Sequence, residues 1–291
     1  MPITVEIANS SATDEIFKTV FGYFSYIDET FSTYKSHSEI MHINRGELIE
    51  ADWSEDMKAI FELAEAAREK TGGYFDIQKP DGSYDPSGLV KGWAIQNVAT
   101  IIRNAGFENF YIDAGGDIQT SGMNPEGEPW RIGIKNPFNE QEVVKVLQAK
   151  TDPIRRPDPT VQHQDFPQEE NRSTPGIPNG TSKKNGQSAA QNISVLTENG
   201  TTGQNLAVAT SGTYIRGLHI YNPKTGMPAD DMISLTVVGD HICDVDLVAT
   251  AAFAMGDLGI RFVEEMPGFE AYAIDKDGMA TMTSGFHRYV S

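Results

Sequence analysis

The sequence is short of the groups on which several large classes of protein depend. Its one cysteine, Cys243, excludes an internal disulfide framework and any zinc site built from several thiolates. Positive charge is scarce: 23 Lys and Arg stand against 41 Asp and Glu, a formal net charge of −18. Such a surface is not built to neutralise nucleic-acid phosphates or an anionic lipid layer, so neither partner is expected. No run approaches the ~18 consecutive apolar residues of a membrane span, and the start, MPITVEIANSS, has neither the basic nor the apolar region of a secretory leader. As it stands the chain reads as cytoplasmic, with export after removal of a leader as the alternative. The full spacing of a Walker P-loop and a Rossmann glycine fingerprint are both missing, which argues against a nucleoside triphosphatase. An acidic protein that binds a phosphate ligand must supply positive charge locally, and a divalent metal is one source.

What is present is enough for a sizeable core, since 291 residues can bury most of their apolar surface. Ile16, Val20, Phe21, Phe24 and Ile27 form one apolar stripe and predict a helix over Ala12–Tyr34. A second helix follows Ser54 as N-cap, carries Met57, Ile60, Phe61, Ala64 and Ala67, and stops at Gly72-Gly73. A third runs from about Ser87 to Asn104, with Gly106 just past its end. Phe110–Ile112, Ile118–Thr120, Trp130–Ile134 and Glu142–Gln148 alternate with turn residues, which suits antiparallel pairing better than repeated βαβ units.

From Thr151 to about Gln191 the composition shifts to Pro, Asn, Ser, Gln, Gly and charge, with too little apolar surface to offset its ordering entropy. It reads as an insertion within one domain spanning 1–291, because patterned sequence resumes near Ile193–Val195 and Leu206–Val208. Strand-like Leu218–Tyr221 and Ser234–Val238 come next, then an apolar helix from about Asp244 to Met255 and a further helix to Glu265. A hairpin pairs Ala271–Ile274 with Thr281–Thr283 and turns at Asp277-Gly278.

Four constellations suggest chemistry. Asp246-Leu-Val-Ala-Thr250 puts a carboxylate and a hydroxyl on one helical face, a pair that can share a hard cation such as Mg²⁺. The plainer alternative is that Asp244 or Asp246 caps the helix and Thr250 bonds back to a carbonyl. Tyr111-Ile-Asp-Ala-Gly-Gly-Asp117 lets backbone approach a ligand closely, or simply makes a hairpin turn. Ala209-Thr-Ser-Gly-Thr-Tyr214 and His219-Ile-Tyr-Asn-Pro-Lys-Thr-Gly226 crowd hydroxyls and a histidine that can act as a base or simply sit hydrogen-bonded at a strand end. Asp85-Pro-Ser-Gly-Leu-Val-Lys91-Gly92 opens the third helix, where backbone N–H groups favour an anion.

Taken in order, these segments resemble the FAD:protein FMN transferase family, the ApbE-like flavin transferases. The series begins at Phe31-Ser-Thr-Tyr-Lys-Ser-His-Ser-Glu-Ile40 with Asn44, and passes through Gly72-Gly73-Tyr-Phe-Asp76, Asp85-Pro-Ser-Gly…Lys91-Gly92-Trp93-Ala94 and Gly115-Gly116-Asp117. Trp130-Arg-Ile-Gly-Ile134…Pro137, Ala209-Thr-Ser-Gly212…Tyr214, the His219 segment and Asp246-Leu-Val-Ala-Thr250-Ala complete it, so the likeness covers nearly the whole chain.

The resemblance implies an α+β protein (mixed α/β) of T-fold-like architecture, with a largely antiparallel sheet and packed helices. It implies Mg²⁺-dependent transfer of FMN from FAD, the substrate, to a Ser or Thr hydroxyl of an acceptor protein, with AMP released. Asp246 and Thr250 then become metal ligands, joined by backbone carbonyls near Gly88 and Ala249. Tyr34, Ser38 and Glu39 help build the FAD pocket, Gly115, Gly116 and Asp117 lie against the cofactor, and Thr210, Ser211 and Tyr214 line its flavin side. The helix start from Gly88 to Lys91 holds phosphate oxygens, and His219 takes the acceptor's proton. Two other readings stay open: an FAD pyrophosphatase with water as acceptor, and an FAD-binding protein without catalysis. The chain departs from the family in the short stretch between Asp76 and Asp85, in Pro86, in Asn222 where a carboxylate is usual, and in the 151–191 insertion.

Overall fold

This computed structural model describes residues 1–149, 205–214, 217 and 220–291. The expected insertion at about 151–191, the pattern at Ile193–Val195, and Leu218 and His219 lie outside the described residues.

Helix periodicity and capping set the first half. Helix α1 (Asp14–Phe31) buries Val20, Phe24, Ile27 and Phe31, the apolar stripe of its sequence, and opens with Asp14 and Glu15 at its positive end. A short α2 (Glu39–Asn44) follows, then α3 (Glu55–Lys70), where the Ser54 hydroxyl accepts the Met57 N–H and Arg68 and Lys70 face the C-terminal dipole. Gly72 and Gly73 end it with φ of 58° and 83°. Helix α4 (Ser87–Asn104) occupies the expected span. Helices α5 (Ile242–Ala254) and α6 (Gly259–Glu264) come late, and α5 is buried almost all round.

Seven strands form one antiparallel sheet in the order β1-β2-β3-β6-β7-β8-β9. They are β1 (Ile3–Ile7), β2 (Phe110–Ala114), β3 (Asp117–Ser121), β6 (Leu206–Gly212), β7 (Met232–Gly239), β8 (Glu270–Asp275) and β9 (Ala280–Met282). Strands β4 (Arg131–Asn136) and β5 (Asn139–Gln148) make a separate ribbon. The mixed fold with a large antiparallel sheet and packed helices is the one expected. Two details differ: β1 and α2 were not foreseen, and Tyr221 makes only an isolated bridge to Pro228 where a strand was expected.

Period-two alternation splits the core across the sheet. Phe110, Ile112, Ala114, Leu235, Val237 and Ala271 face the helices, while Ile118, Leu206, Val208, Val238 and Ile274 face the ribbon and the C-terminal Phe286 and Tyr289. No helix among the described residues is long and apolar enough to cross a membrane.

Candidate active site

The site grows from a seam between two helices. Gly88 and Gly92 of α4 are one turn apart, as are Asp246 and Thr250 of α5, and the two pairs face each other. A Cβ on Gly92 would lie 2.8 Å from both Asp246 Cβ and the Ile242 carbonyl oxygen, and one on Gly88 would lie 3.2 Å from Thr250 Cγ2. Glycine is what lets the helices approach so closely. At this distance the Gly92 N–H donates to Asp246 Oδ2 at 2.9 Å. In a regular α-helix that N–H would serve the Gly88 carbonyl, which therefore has at most a share of its donor.

A residue that sequence reading missed fixes α5 against the sheet. Gln119 of β3 is buried; its Oε1 accepts the Ile242 N–H at 3.0 Å, and its Nε2 donates to the Asp240 carbonyl at 3.3 Å. A first-turn N–H that has no partner within its own helix is thereby satisfied from a strand. Asp246 lies a turn further in and does not cap α5, and Thr250, unlike Thr19, Thr30, Thr71 and Thr100, makes no hydrogen bond back to a carbonyl of its helix among the described residues.

Above the seam opens a cavity of about 870 Å³, within the usual range for ligand pockets. Its walls come from the α4 start, the 74–85 segment, the β2–β3 turn, β4, the end of β6 and the 220–223 segment. Gly115 and Gly116 have φ of 66° and 96°, the left-handed pair of a two-residue hairpin turn, and the Gly116 N–H donates to Asp113 Oδ1 at 2.8 Å. The hairpin turn considered for this segment is present, and both of its glycines line the cavity. The 77–85 wall is pinned by Asn44 of α2, whose side-chain amide exchanges two hydrogen bonds with the Tyr84 backbone, at 2.7 and 2.9 Å.

Electrostatics concentrate at the floor. Asp246 is 3 % exposed and Asp117 1 %. Lys91 Nζ lies 2.5 Å from Asp117 Oδ2 and 3.8 Å from Asp246 Oδ1. Burial pushes the Asp246 carboxyl well above the usual carboxylate range, with Lys91 opposing and Asp117 adding to the rise. At the rim, burial and then Asp76, Asp85 and Asp81 push Tyr221 up to about 12, and the Lys224 ammonium sits 4.1 Å over the Tyr74 ring.

Of the residues expected at a site, Gly88, Lys91, Gly115, Gly116, Thr210, Ser211, Tyr214, Asp246 and Thr250 line this one cavity. Asp117 lies beneath it, and Ala249 is fully buried behind the lining. Tyr34, Ser38 and Glu39 do not line it. Tyr34 is 98 % exposed, the Ser38 hydroxyl donates to the Ser32 carbonyl and accepts the Met41 N–H, and Glu39 Oε1 accepts the Ser54 N–H. These contacts fix the α1–α2–α3 junction. His219 is outside the described residues, although Ile220 and Tyr221, next in the chain, line the cavity.

The donors suit a hard cation. Among the described residues no three His, Cys, Asp or Glu side chains come together to hold a metal. What the α4–α5 seam offers is one carboxylate, one hydroxyl and helix backbone oxygens. Mg²⁺ is the ion that accepts so few protein ligands, completing its shell with water and substrate phosphates.

A large antiparallel sheet with helices on one face and a cavity floored by a Gly-Asp-Thr helix seam defines the class, and the chain belongs to the ApbE family, whose sequence pattern matches residues 1–81, 77–154 and 180–273. The relatives are informative about that class. The "FAD:protein FMN transferase" of Vibrio cholerae is 25 % identical over 215 residues, covering 67 % of this chain and 48 % of that protein. The protein of the same name from Escherichia coli is 23 % identical over 214 residues, covering 70 % and 46 %. The chain thus spans about half the length of the curated relatives it matches. Among solved structures, the ApbE protein of Thermotoga maritima superposes with a TM-score of 0.71 at 19 % identity, and the flavin transferase ApbE of V. cholerae with 0.68 at 19 %. Each covers 99 % of this chain and 95 % of its own. At that identity they show the shared fold.

Proposed function

We propose that this protein transfers FMN from FAD to a Ser or Thr hydroxyl of an acceptor protein, with Mg²⁺ as the resident ion and AMP as the leaving group. The observation that carries the proposal is the facing of Asp246 and Thr250 against Gly88 and Lys91 in one cavity of ligand size. The names of the relatives, read together with family membership, support the same reaction.

Asp246, Thr250 and the backbone carbonyl of Gly88, with that of Ala249, would hold the ion. Bound there, it would neutralise charge on the pyrophosphate, which is most of what phosphoryl transfer asks of a protein. The chain's own groups do the rest. N–H groups at the start of α4 and the Lys91 ammonium face the phosphate oxygens; Gly115 and Gly116 let backbone come close to the ligand; Thr210, Ser211 and Tyr214 line the flavin side. His219 takes the proton of the acceptor hydroxyl as its oxygen bonds to the FMN phosphorus and the bond from that phosphorus to the AMP oxygen breaks. Ser38 and Glu39 serve the pocket from outside, by fixing the junction from which α2 and Asn44 hold the 77–85 wall, and Tyr34 beside them keeps its ring exposed.

The test is to incubate the protein with FAD, with and without Mg²⁺ and with and without a Thr-containing acceptor peptide, and to follow AMP, FMN and flavinylated peptide by chromatography. Flavin on the peptide with an equivalent of AMP is the expected result. AMP with free FMN alone would replace transfer by hydrolysis, and FAD left intact with Mg²⁺ would make this a binding protein.

A further inference from the structure

Asp117 is a carboxylate that the cavity does not use directly. It is 1 % exposed and lies behind the residues of the cavity wall. Its Oδ1 accepts the Thr210 N–H of the neighbouring strand at 3.4 Å, and its Oδ2 takes Lys91 at 2.5 Å. The strand holds it firmly: it follows the Gly115-Gly116 turn and pairs with Ala114. Lys91 in turn lies on the α4 face that meets α5, and its Nζ stops 3.8 Å from Asp246 Oδ1. The other Asp246 oxygen is taken by the Gly92 N–H. Oδ1 is therefore the carboxylate oxygen left for a cation; the Asp117 carboxyl also reaches Asp246 directly, and Lys91 is the ammonium closest to occupying Oδ1.

We propose that Asp117 is a positioning residue that holds the Lys91 ammonium away from Asp246 Oδ1, so that a divalent cation and not the lysine takes that oxygen. The inference rests on the metal site proposed above and adds the device that protects it. Without the Asp117 charge, Lys91 closes on Asp246 and competes with the ion. Moving a unit charge about 1 Å closer at this range, with an effective dielectric near 20, corresponds to about a tenfold loss of cation affinity.

The test is a double-mutant cycle read by binding of the metal alone: Mg²⁺ by calorimetry and Mn²⁺ by electron paramagnetic resonance, on wild type, Asp117→Asn, Lys91→Met and the double variant, with Asp246→Ala as reference. Thermal melts of each variant establish that it is folded. Asp117→Asn is expected to weaken the metal about tenfold when Lys91 is present and less than about threefold when residue 91 is Met. A merely electrostatic Asp117 would cost the same factor in both backgrounds, and that result overturns the proposal, as does no loss in either. If wild type shows no saturable binding that Asp246→Ala removes, the metal site itself falls and this inference with it. Binding lost in Asp246→Ala but indifferent to Asp117→Asn overturns the positioning role alone.

Discussion

Replacing Gly92 with alanine tests whether the α4–α5 seam builds the site. The new methyl would start 2.8 Å from Asp246 Cβ and from the Ile242 carbonyl oxygen, and 3.1 Å from Asp246 Oδ2. Restoring ordinary contact near 3.5 Å requires the helices to part by roughly 0.7 Å. Intrinsic propensity pulls the other way, since alanine favours a helix interior over glycine by about 1 kcal/mol. Against that gain stand about 1–3 kcal/mol for overpacking a close-packed seam, and part of the ~1.5–3 kcal/mol of a hydrogen bond to a charged acceptor, the Gly92 N–H to Asp246. The balance is a loss of about 1–3 kcal/mol. Gly22 of α1 is the internal control, because a Cβ there meets nothing within 4 Å. Gly22→Ala should gain about 0.5–1 kcal/mol. Urea unfolding of the two variants beside wild type, with unchanged m, reads both. A Gly92→Ala protein as stable as wild type, or stabilised like Gly22→Ala, would refute the close-packed seam.

Three further outcomes can be measured. Gln119→Leu leaves the Ile242 N–H and the Asp240 carbonyl without their side-chain partner and should cost about 1–3 kcal/mol in the same urea assay. Tyr221 sits at about 12 in the folded protein against an ordinary 10, so the folded state keeps this proton longer; its contribution is intact below pH 10 and is lost as pH rises through about 12. Melting temperature against pH across that window should therefore fall less steeply in Tyr221→Phe. For turnover, Asp246→Ala should be the more damaging change and His219→Ala the lesser, with the latter losing about 10²–10⁴ in rate, the usual share of a general base. Full Mg²⁺-dependent turnover in Asp246→Ala would remove it from the site.

Local signals were legible where one element carries them. The α4 span could be read to the residue because its apolar period, the Asp85-Pro86 start and Gly106 agree. Helix α2 has six residues, too few to display a period, and β1 has only Ile3, Val5 and Ile7 to announce it. The Asp246–Thr250 pair was visible as one helical face. Its facing Gly88–Gly92 pair lies over 150 positions away, and only packing shows that the two spacings mesh. Gln119 is the clearest case of information absent from local pattern: a polar residue inside a strand reads as an outward-facing position, yet it is buried because the N-terminus of a distant helix needs an acceptor there. The Tyr34–Glu39 segment was recognisable as a motif, but its order in the chain could not distinguish cavity wall from the junction behind it.

Charge decides how an acidic chain can hold a pyrophosphate. With a formal net charge of −18, most of the surface repels such a ligand. The cavity wall is different: Lys79, Lys91, Arg131 and Lys135 stand against Asp76, Asp85, Asp113 and Asp246, four charges of each sign. That is neutral by count, and Lys91 is already engaged with Asp117 and Asp246. An ion at Asp246 would tip the wall to a net charge of about +2, so FAD should bind weakly alone and more tightly with Mg²⁺. Thermodynamic linkage then requires FAD to tighten Mg²⁺ by the same factor. Quenching of flavin fluorescence, titrated with and without Mg²⁺ on the slow His219→Ala variant, gives one factor; calorimetry of Mg²⁺ with and without FAD gives the other. Typical coupling of about 1–3 kcal/mol predicts a factor of about 5–150 in each direction. Equal FAD affinity with and without the ion would mean that the four cations suffice and that Asp246 does not bring a metal to the phosphates.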